Sequence, residues 1–239
     1  MTLHLIRLQP DMTLVMRWAA RQDVLPDDED ELGYALHALL AATFGPLRPQ
    51  PFAALREPGQ SPALLAYSAH PAAALTAQAA TADPEAAAAI GLAGVAGKPM
   101  PEVFATGRVL GFAVRVRPTV RTDRDGDRDK VREIDAYLAA LRGTTEDAGP
   151  PRAEVYAGWL RERLAAGGAA VEQLTLDSFR LSPVHRRGAG RRLHRVRGPA
   201  ASFRGRLVVR DPDLFAALLA RGVGRHRAFG FGMLLLRPG

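Results

Sequence analysis

Between Asp211 and Leu236 the sequence lays down a helix, a turn and a strand in an order that leaves little freedom to the segments around it. Asp211 stands at an N-cap, Pro212 at the first helical position and Asp213 in the first turn, where a carboxylate complements the helix dipole. Leu214, Phe215, Leu218 and Leu219 then form one apolar face, and Gly222 stops the helix. The run Arg221-Gly222-Val223-Gly224-Arg225-His226-Arg227-Ala228-Phe229-Gly230-Phe231-Gly232 follows, with four glycines (Gly222, Gly224, Gly230 and Gly232) in eleven residues. Backbone of that kind turns sharply and comes close to a ligand, and the three arginines are phosphate-seeking donors. Met233 to Leu236 reads as a buried strand. This is not a nucleotide-binding P-loop, because no GxxxxGK[ST] occurs and the loop enters a strand instead of opening a helix. Two readings stay open from the segment alone: a phosphate-binding element, or a tight turn whose arginines face solvent.

Charge bears on that choice. From Ser178 onward fourteen arginines face only Asp211 and Asp213, a balance of +12 with the histidines neutral, which leaves −5 on residues 1–177 within a net charge of +7. Such asymmetry argues for a polyanionic partner of the C-terminal part, most simply nucleic acid. An anionic membrane fits less well, since glycine and proline interrupt the basic cluster and no amphipathic helix carries it. No apolar run approaches the ~18 residues of a membrane span, and His4 and Arg7 break the opening apolar run early, against a signal peptide. Cysteine is absent, which excludes disulfides and thiolate chemistry and fits a reducing cytoplasm.

At 239 residues the chain holds one large domain or two small ones. Leu3 to Leu8 reads as an opening strand. Asp27 or Asp28 caps a helix expected from about Glu29 to Phe44, ended by Gly45-Pro46. On that helix Leu32, Leu36, Leu39, Leu40 and Thr43 gather on one side, while Tyr34 and His37, three residues apart, lie together on another. A tyrosine and a histidine paired off the apolar stripe form either a solvent-accessible proton-transfer site or an ordinary surface contact. Phe52 to Leu55 and Ala63 to Tyr67 are short strand candidates, Ala72 to Leu92 is alanine-rich and ambiguous, compatible with a helix that breaks near Pro84, and Gly94 to Pro101 reads as a turn or linker. Arg108 to Arg117 alternates most clearly with period two, its arginines outward and able to touch phosphate. Pro118 to Asp129 reads as a polar loop, Lys130 to Arg142 and Glu154 to Ala166 as helices, and Ala170 to Leu181 as extended chain. Ser182 to Ser202 reads as a basic hairpin or loop, and Phe203 to Val209 as a strand. The second half thus runs strand, helix, strand, strand, helix, strand, the ferredoxin-like split βαβ order. The first half is compatible with a second, degenerate copy. The fold class expected is therefore α+β.

On the C-terminal signature GVGRHRAFGFGMLLLRP, the preceding FRGRLVVRDPDLFAALLARG and the first-helix pattern Tyr34-Ala35-Leu36-His37, the chain resembles the CRISPR-associated repeat-processing endoribonucleases of type I-E systems, the CasE or Cse3 family of the RAMP superfamily. VLGFAVRVRP and EVYAGWL sit where that family places similar segments. The resemblance implies two tandem ferredoxin-like (RRM-like) domains with antiparallel sheets, residues 1–98 and 99–239, recognition of the CRISPR repeat RNA stem-loop, and retention of the mature crRNA in Cascade beside its other subunits, the backbone subunit especially. It also implies metal-independent, cofactor-free cleavage that leaves a 2′,3′-cyclic phosphate or 3′-phosphate and a 5′-hydroxyl. His37 is then placed at the scissile phosphate as general acid or base, with Tyr34 orienting the 2′-hydroxyl or sharing in proton transfer. Arg186, Arg187, Arg191, Arg192, His194, Arg195 and Arg197 of the basic segment, with Arg225, His226 and Arg227 of the glycine-rich loop, are the RNA-binding candidates. A non-cleaving RNA-binding scaffold of the same fold, and an unrelated architectural RNA-binding protein, remain the alternatives.

Overall fold

A computed structural model describes residues 2–25, 32–55, 62–122, 132–142, 149–187 and 193–239. Strand β1 (His4–Leu8) is followed by helices α1 (Met12–Arg21) and α2 (Leu32–Phe44), strands β2 (Phe52–Leu55) and β3 (Ala63–Ser68), helices α3 (Ala72–Ala79) and α4 (Pro84–Ala89), and strand β4 (Ala96–Pro99). The sheet order is β2-β3-β1-β4, antiparallel throughout. The remaining chain gives β5 (Val109–Val116), β6 (Thr119–Thr122), β7 (Arg132–Asp135), α5 (Ala136–Leu141), α6 (Arg152–Ala165), β8 (Ala169–Arg187), β9 (Leu193–Val209), α7 (Pro212–Arg221) and β10 (Leu235–Pro238). Its four-stranded sheet runs β10-β5-β9-β8, again antiparallel, and β6 with β7 forms a separate ribbon. In both sheets the first strand lies between the third and the fourth. This is the ferredoxin-like order, repeated.

The capped helix α7 forms as its sequence predicts. Asp211 accepts from the Asp213 and Leu214 amides at 3.0 and 2.9 Å, a cap worth ~1 kcal/mol. Phe215, Leu218 and Leu219 are buried beneath it with Phe112, Phe203 and Leu207. The first core gathers Ile6 and Leu8 of β1, Val15 and Trp18 of α1, and Leu36, Leu39, Leu40 and Phe44 of α2. Tyr67 belongs to the first sheet but is buried in the second core, where its hydroxyl donates to the Leu234 carbonyl at 2.9 Å.

Several expectations need correction. Helix α1 has no counterpart in the reading above, although Asp11 caps it through the Thr13 and Leu14 amides. The expected linker at 94–101 contains β4, which pairs Ala96 through Pro99 with β1 and completes the first sheet. A boundary after residue 98 therefore falls inside that strand. The expected loop at 118–129 begins as β6, and the start of the expected helix at 130–142 is β7, because the two pair from Thr119 opposite Asp135 to Thr122 opposite Arg132. Arg117 does not face outward. Strand β5 ends at Val116, and past it the Arg117 side chain turns inward, donates to the Ser182 carbonyl at 3.1 Å and lies 5.5 Å from the Phe231 ring. Of the helix expected at 29–44, the structure gives Leu32–Phe44, and Asp27, Asp28 and residues 29–31 lie outside the described residues. Met233 and Leu234 are buried as expected, but the strand itself begins at Leu235.

Candidate nucleic-acid interface

The apolar stripe of α2 is buried as its periodicity predicts, with Leu32, Leu36, Leu39, Leu40 and Thr43 all in the interior. Tyr34 and His37 are left half-buried on another side. What covers them comes from the far end of the chain. The Phe229 ring lies 5.9 Å from that of Tyr34 and 5.5 Å from that of His37, edge-on to the imidazole. The approach is possible because position 33 is glycine. A Cβ there would stand 2.2 Å from the Phe229 carbonyl oxygen, so only a residue without one allows helix and loop to meet. Helix α2 therefore carries Tyr34 and His37 and, one residue before the tyrosine, the gap that receives the loop.

Burial lowers the His37 pKa below its ordinary value of 6.5, and the Arg48 charge lowers it further. Near neutral pH the imidazole is accordingly uncharged and able to accept a proton. Arg48 follows α2 and the short 3-10 turn Gly45–Leu47, and its Nη1 donates to the Gly45 carbonyl at 3.3 Å.

The glycine-rich loop is packed in place. Gly222, Gly224, Gly230 and Gly232 all have positive φ, and a Cβ on Gly224 would stand 2.8 Å from the Trp159 ring. Arg227 donates from Nη1 to the Arg221 carbonyl at 2.6 Å, closing the end of α7. His226 has φ 59°, in the left-handed region, and its Nε2 donates to the Glu133 carboxylate oxygens at 3.1 and 3.2 Å. Arg225 Nε lies 3.5 Å from the same carboxylate. Burial opposes ionisation of Glu133, but the His226 and Thr119 hydrogen bonds and the Arg225 charge outweigh it and hold the carboxyl down to about 2. Arg221, Arg225, His226, Arg227, Gln50 and Glu133 line a polar cavity that also reaches Phe229. With Arg221, Arg225 and Arg227 in its lining and Glu133 the one carboxylate there, the cavity is cationic, a setting suited to a phosphate.

The basic segment is a hairpin. Strands β8 and β9 pair continuously from Ala169 opposite Val209 to Arg187 opposite Leu193, with register shifts between Val171 and Gln173 and between Leu176 and Ser178. Strand β5 covers β9 only between Ala201 and Val208. The stretch that pairs Leu181–Arg187 with Leu193–Pro199 therefore runs past the sheet as a two-stranded ribbon. Arg186, Arg187, His194, Arg195 and Arg197 lie on its strands, with Arg197 exposed, whereas Arg191 and Arg192 lie outside the described residues. Further down the hairpin Arg204 pairs with Asp177 at 3.1 Å.

The structure thus joins two sets of predicted residues, Tyr34 and His37 with the glycine-rich loop, and sets the hairpin apart as a third element. Phe229, Gly33, Arg48 and Glu133 were not foreseen as part of this arrangement. Phe229 carried a usable signal, as the one aromatic between His226 and Gly230, while Glu133 was hidden inside an expected helix. Among the described residues no three His, Asp or Glu side chains converge as a bound metal requires, and no helix is long and apolar enough to cross a membrane.

The family described as CRISPR associated protein matches residues 3–238. A curated relative, the CRISPR-associated endoribonuclease Cse3 of Thermus thermophilus, is 29% identical over 150 residues, which span 59% of this chain and 61% of the relative's length. The structure of CRISPR endoribonuclease Cse3 bound to 19 nt RNA superposes with a TM-score of 0.66 at 22% identity, covering 100% of both chains. Thermus thermophilus Cse3 bound to an RNA representing a pre-cleavage complex gives 0.63 at 18% identity, again covering 100% of both. The tandem ferredoxin-like architecture is common to all of these structures.

Proposed function

The chain belongs to the CRISPR associated protein family, and on that premise we propose that it is a cytoplasmic endoribonuclease that cuts CRISPR precursor RNA within the repeat stem-loop. In this reading it then stays on the mature guide RNA as a subunit of a Cascade complex, against the backbone subunit. The observation that carries the proposal is the meeting of Tyr34 and His37, from the first sheet's helix, with Phe229 of the glycine-rich loop from the second. Phe229 belongs both to this contact and to the cationic cavity beside it. A proton-transfer pair therefore stands next to a place for a phosphate. The relatives seen with RNA bound point to the same class of substrate.

The chemistry follows from the RNA itself. The 2′-oxygen attacks the adjacent phosphorus, charge builds on the phosphate oxygens, and the 5′-oxygen departs, leaving a 2′,3′-cyclic phosphate and a 5′-hydroxyl. His37, kept neutral by burial and by Arg48, accepts the 2′-hydroxyl proton. The Tyr34 phenol donates toward the departing oxygen. Guanidinium groups of the loop stabilise the phosphate as its charge develops. The hairpin ribbon tracks the stem, because A-form RNA presents phosphates and 2′-hydroxyls outward and hides its base edges in a narrow groove.

Cleavage of the cognate repeat in EDTA tests the proposal, with wild type, His37→Ala and a substrate carrying a 2′-deoxy at the scissile nucleotide run side by side. Wild type is expected to cut. The variant is expected to lose ~10²- to 10⁴-fold in rate, the usual size of an acid–base contribution, and the 2′-deoxy substrate to resist cutting while still binding. Unchanged cutting by His37→Ala would remove that residue from the chemistry. Tight binding of an intact repeat with no cutting by any protein would leave an RNA-binding scaffold.

A further inference from the structure

The steps above make no use of Glu133, yet its carboxylate is the point where three separate elements meet. Strand β7 places Glu133 and Asp135 two residues apart, so both point to one face of the β6–β7 ribbon. Asp135 is buried and bolts that ribbon to α6. It accepts from the Tyr156 hydroxyl at 2.8 and 2.9 Å and from Arg152 Nη1 at 3.0 Å. The Trp159 indole adds a second bolt by donating to the Thr119 carbonyl at 3.0 Å. From this anchored ribbon Glu133 reaches the glycine-rich loop, accepting from Thr119 Oγ1 at 2.5 Å and from His226 Nε2 at 3.1 and 3.2 Å. His226 is one of only two non-glycine residues with positive φ among those described. A residue with a side chain keeps that conformation only where its surroundings hold it. The His226 carbonyl in turn accepts from the Phe229 amide at 2.9 Å, which sets the turn that lays the Phe229 ring on Tyr34 and His37.

We infer that Glu133 is a positioning residue for the cleavage site, holding the His226 turn where Phe229 packs across Tyr34 and His37. The inference rests on the endoribonuclease reading given above and deepens it. Glu133 touches neither reacting atom nor leaving group in this role. It acts through His226, with α6 as its fixed support, and it determines the rate of the chemical step without contributing to the grip on the stem.

The test measures single-turnover cleavage at saturating protein, and repeat affinity separately, for wild type, Glu133→Gln, Glu133→Ala, His226→Ala and the double variant Glu133→Ala/His226→Ala. Glu133→Ala is expected to slow cleavage about tenfold with the dissociation constant changed less than twofold. Glu133→Gln keeps an acceptor for His226 and should recover most of that loss. The double variant should be no slower than His226→Ala alone, since both changes cut one linkage. Imidazole NMR titration gives a readout independent of cutting. Release of Phe229 uncovers His37, so its pKa should move up toward the ordinary value in Glu133→Ala, an effect that a mere loss of stability would not produce. Wild-type rate and an unmoved His37 titration in Glu133→Ala would overturn the inference, as would fully additive losses in the double variant. Tighter RNA binding at unchanged rate would overturn it too, because the carboxylate would then be a plug competing with phosphate. Failure of wild type to cut would count against the endoribonuclease reading alone, and the titration would still decide whether Glu133 places the loop.

Discussion

The two four-stranded sheets have the same strand order but are put to different uses. In the first, no strand exceeds six residues, and two pairs of helices cover it. In the second, β8 and β9 run for 19 and 17 residues, well past the strand that covers them. The first half carries no excess of basic charge and presents a helix from which Tyr34 and His37 stand clear of the apolar stripe. The second half concentrates arginine in the two places where its chain leaves the sheet, the hairpin ribbon and the glycine-rich loop. In the proposed function, one topology thus serves chemistry through a helix face and recognition through excursions from a sheet. The fold alone decides neither.

Of the changes that bear on this comparison, closing the gap where the halves meet should have the largest effect. Gly33→Ala puts a methyl group 2.2 Å from the Phe229 carbonyl oxygen, so helix and loop must part; such overpacking costs ~1–3 kcal/mol. Single-turnover cleavage should fall by at least tenfold while the repeat still binds, as followed by rate and filter-binding measurements together. A Gly33→Ala protein that cuts at wild-type rate would show that the two halves need not touch for the reaction.

A smaller, severalfold effect is expected from pH and would sharpen the assignment of the base to the first half. The His37 pKa lies below 6.5 because burial, and then Arg48, disfavour the imidazolium. In the proposed reaction His37 is the proton acceptor and is active when neutral. The rate at limiting protein concentration, which reports the free protein, should therefore rise with pH, pass its midpoint below 6.5 and be level by neutrality. A rate that falls as pH rises through the same range would make His37 the acid instead.

The smallest effect belongs to the second half. Arg197 is exposed on the hairpin ribbon, and Arg197→Ala should weaken binding only a few-fold and lower the slope of log affinity against log salt by about one. Cleavage at saturating protein should be unchanged. A large loss of rate with unchanged salt dependence would place that arginine in the chemistry and blur the division of labour.

How much of this was legible in the sequence varies with the range of the interaction involved. Helix α7 was legible because its cap, its apolar face and its stop lie within a dozen residues, and β5 because its alternation is self-contained. Strand β4 was not. Ala96-Gly97-Lys98-Pro99 is exposed and has no apolar alternation, and it is a strand only because β1 pairs with it. Strand β7 was absorbed into an expected helix because Ala136–Leu141, which is helical, follows it directly. Helix α1 carries its signal locally too, with the Asp11 cap and the buried Val15, Trp18 and Ala19 within ten residues. In the site, the separation of Tyr34 and His37 from the apolar stripe could be read from periodicity. Their cover by Phe229 could not, since it depends on a glycine and an aromatic at opposite ends of the chain, and nothing local relates them.

The Tyr67 side chain has a consequence for the order of events during synthesis. The strands of the first sheet are complete by Pro99, yet Tyr67, which that sheet carries, is buried in the second core and bonded to Leu234. While the ribosome is still translating the middle of the chain, the first half can gather its own sheet but must wait with that phenol uncovered. The two halves are finished together, only after Leu234 has been made, and a chain arrested before that point would expose the surface on which its halves join.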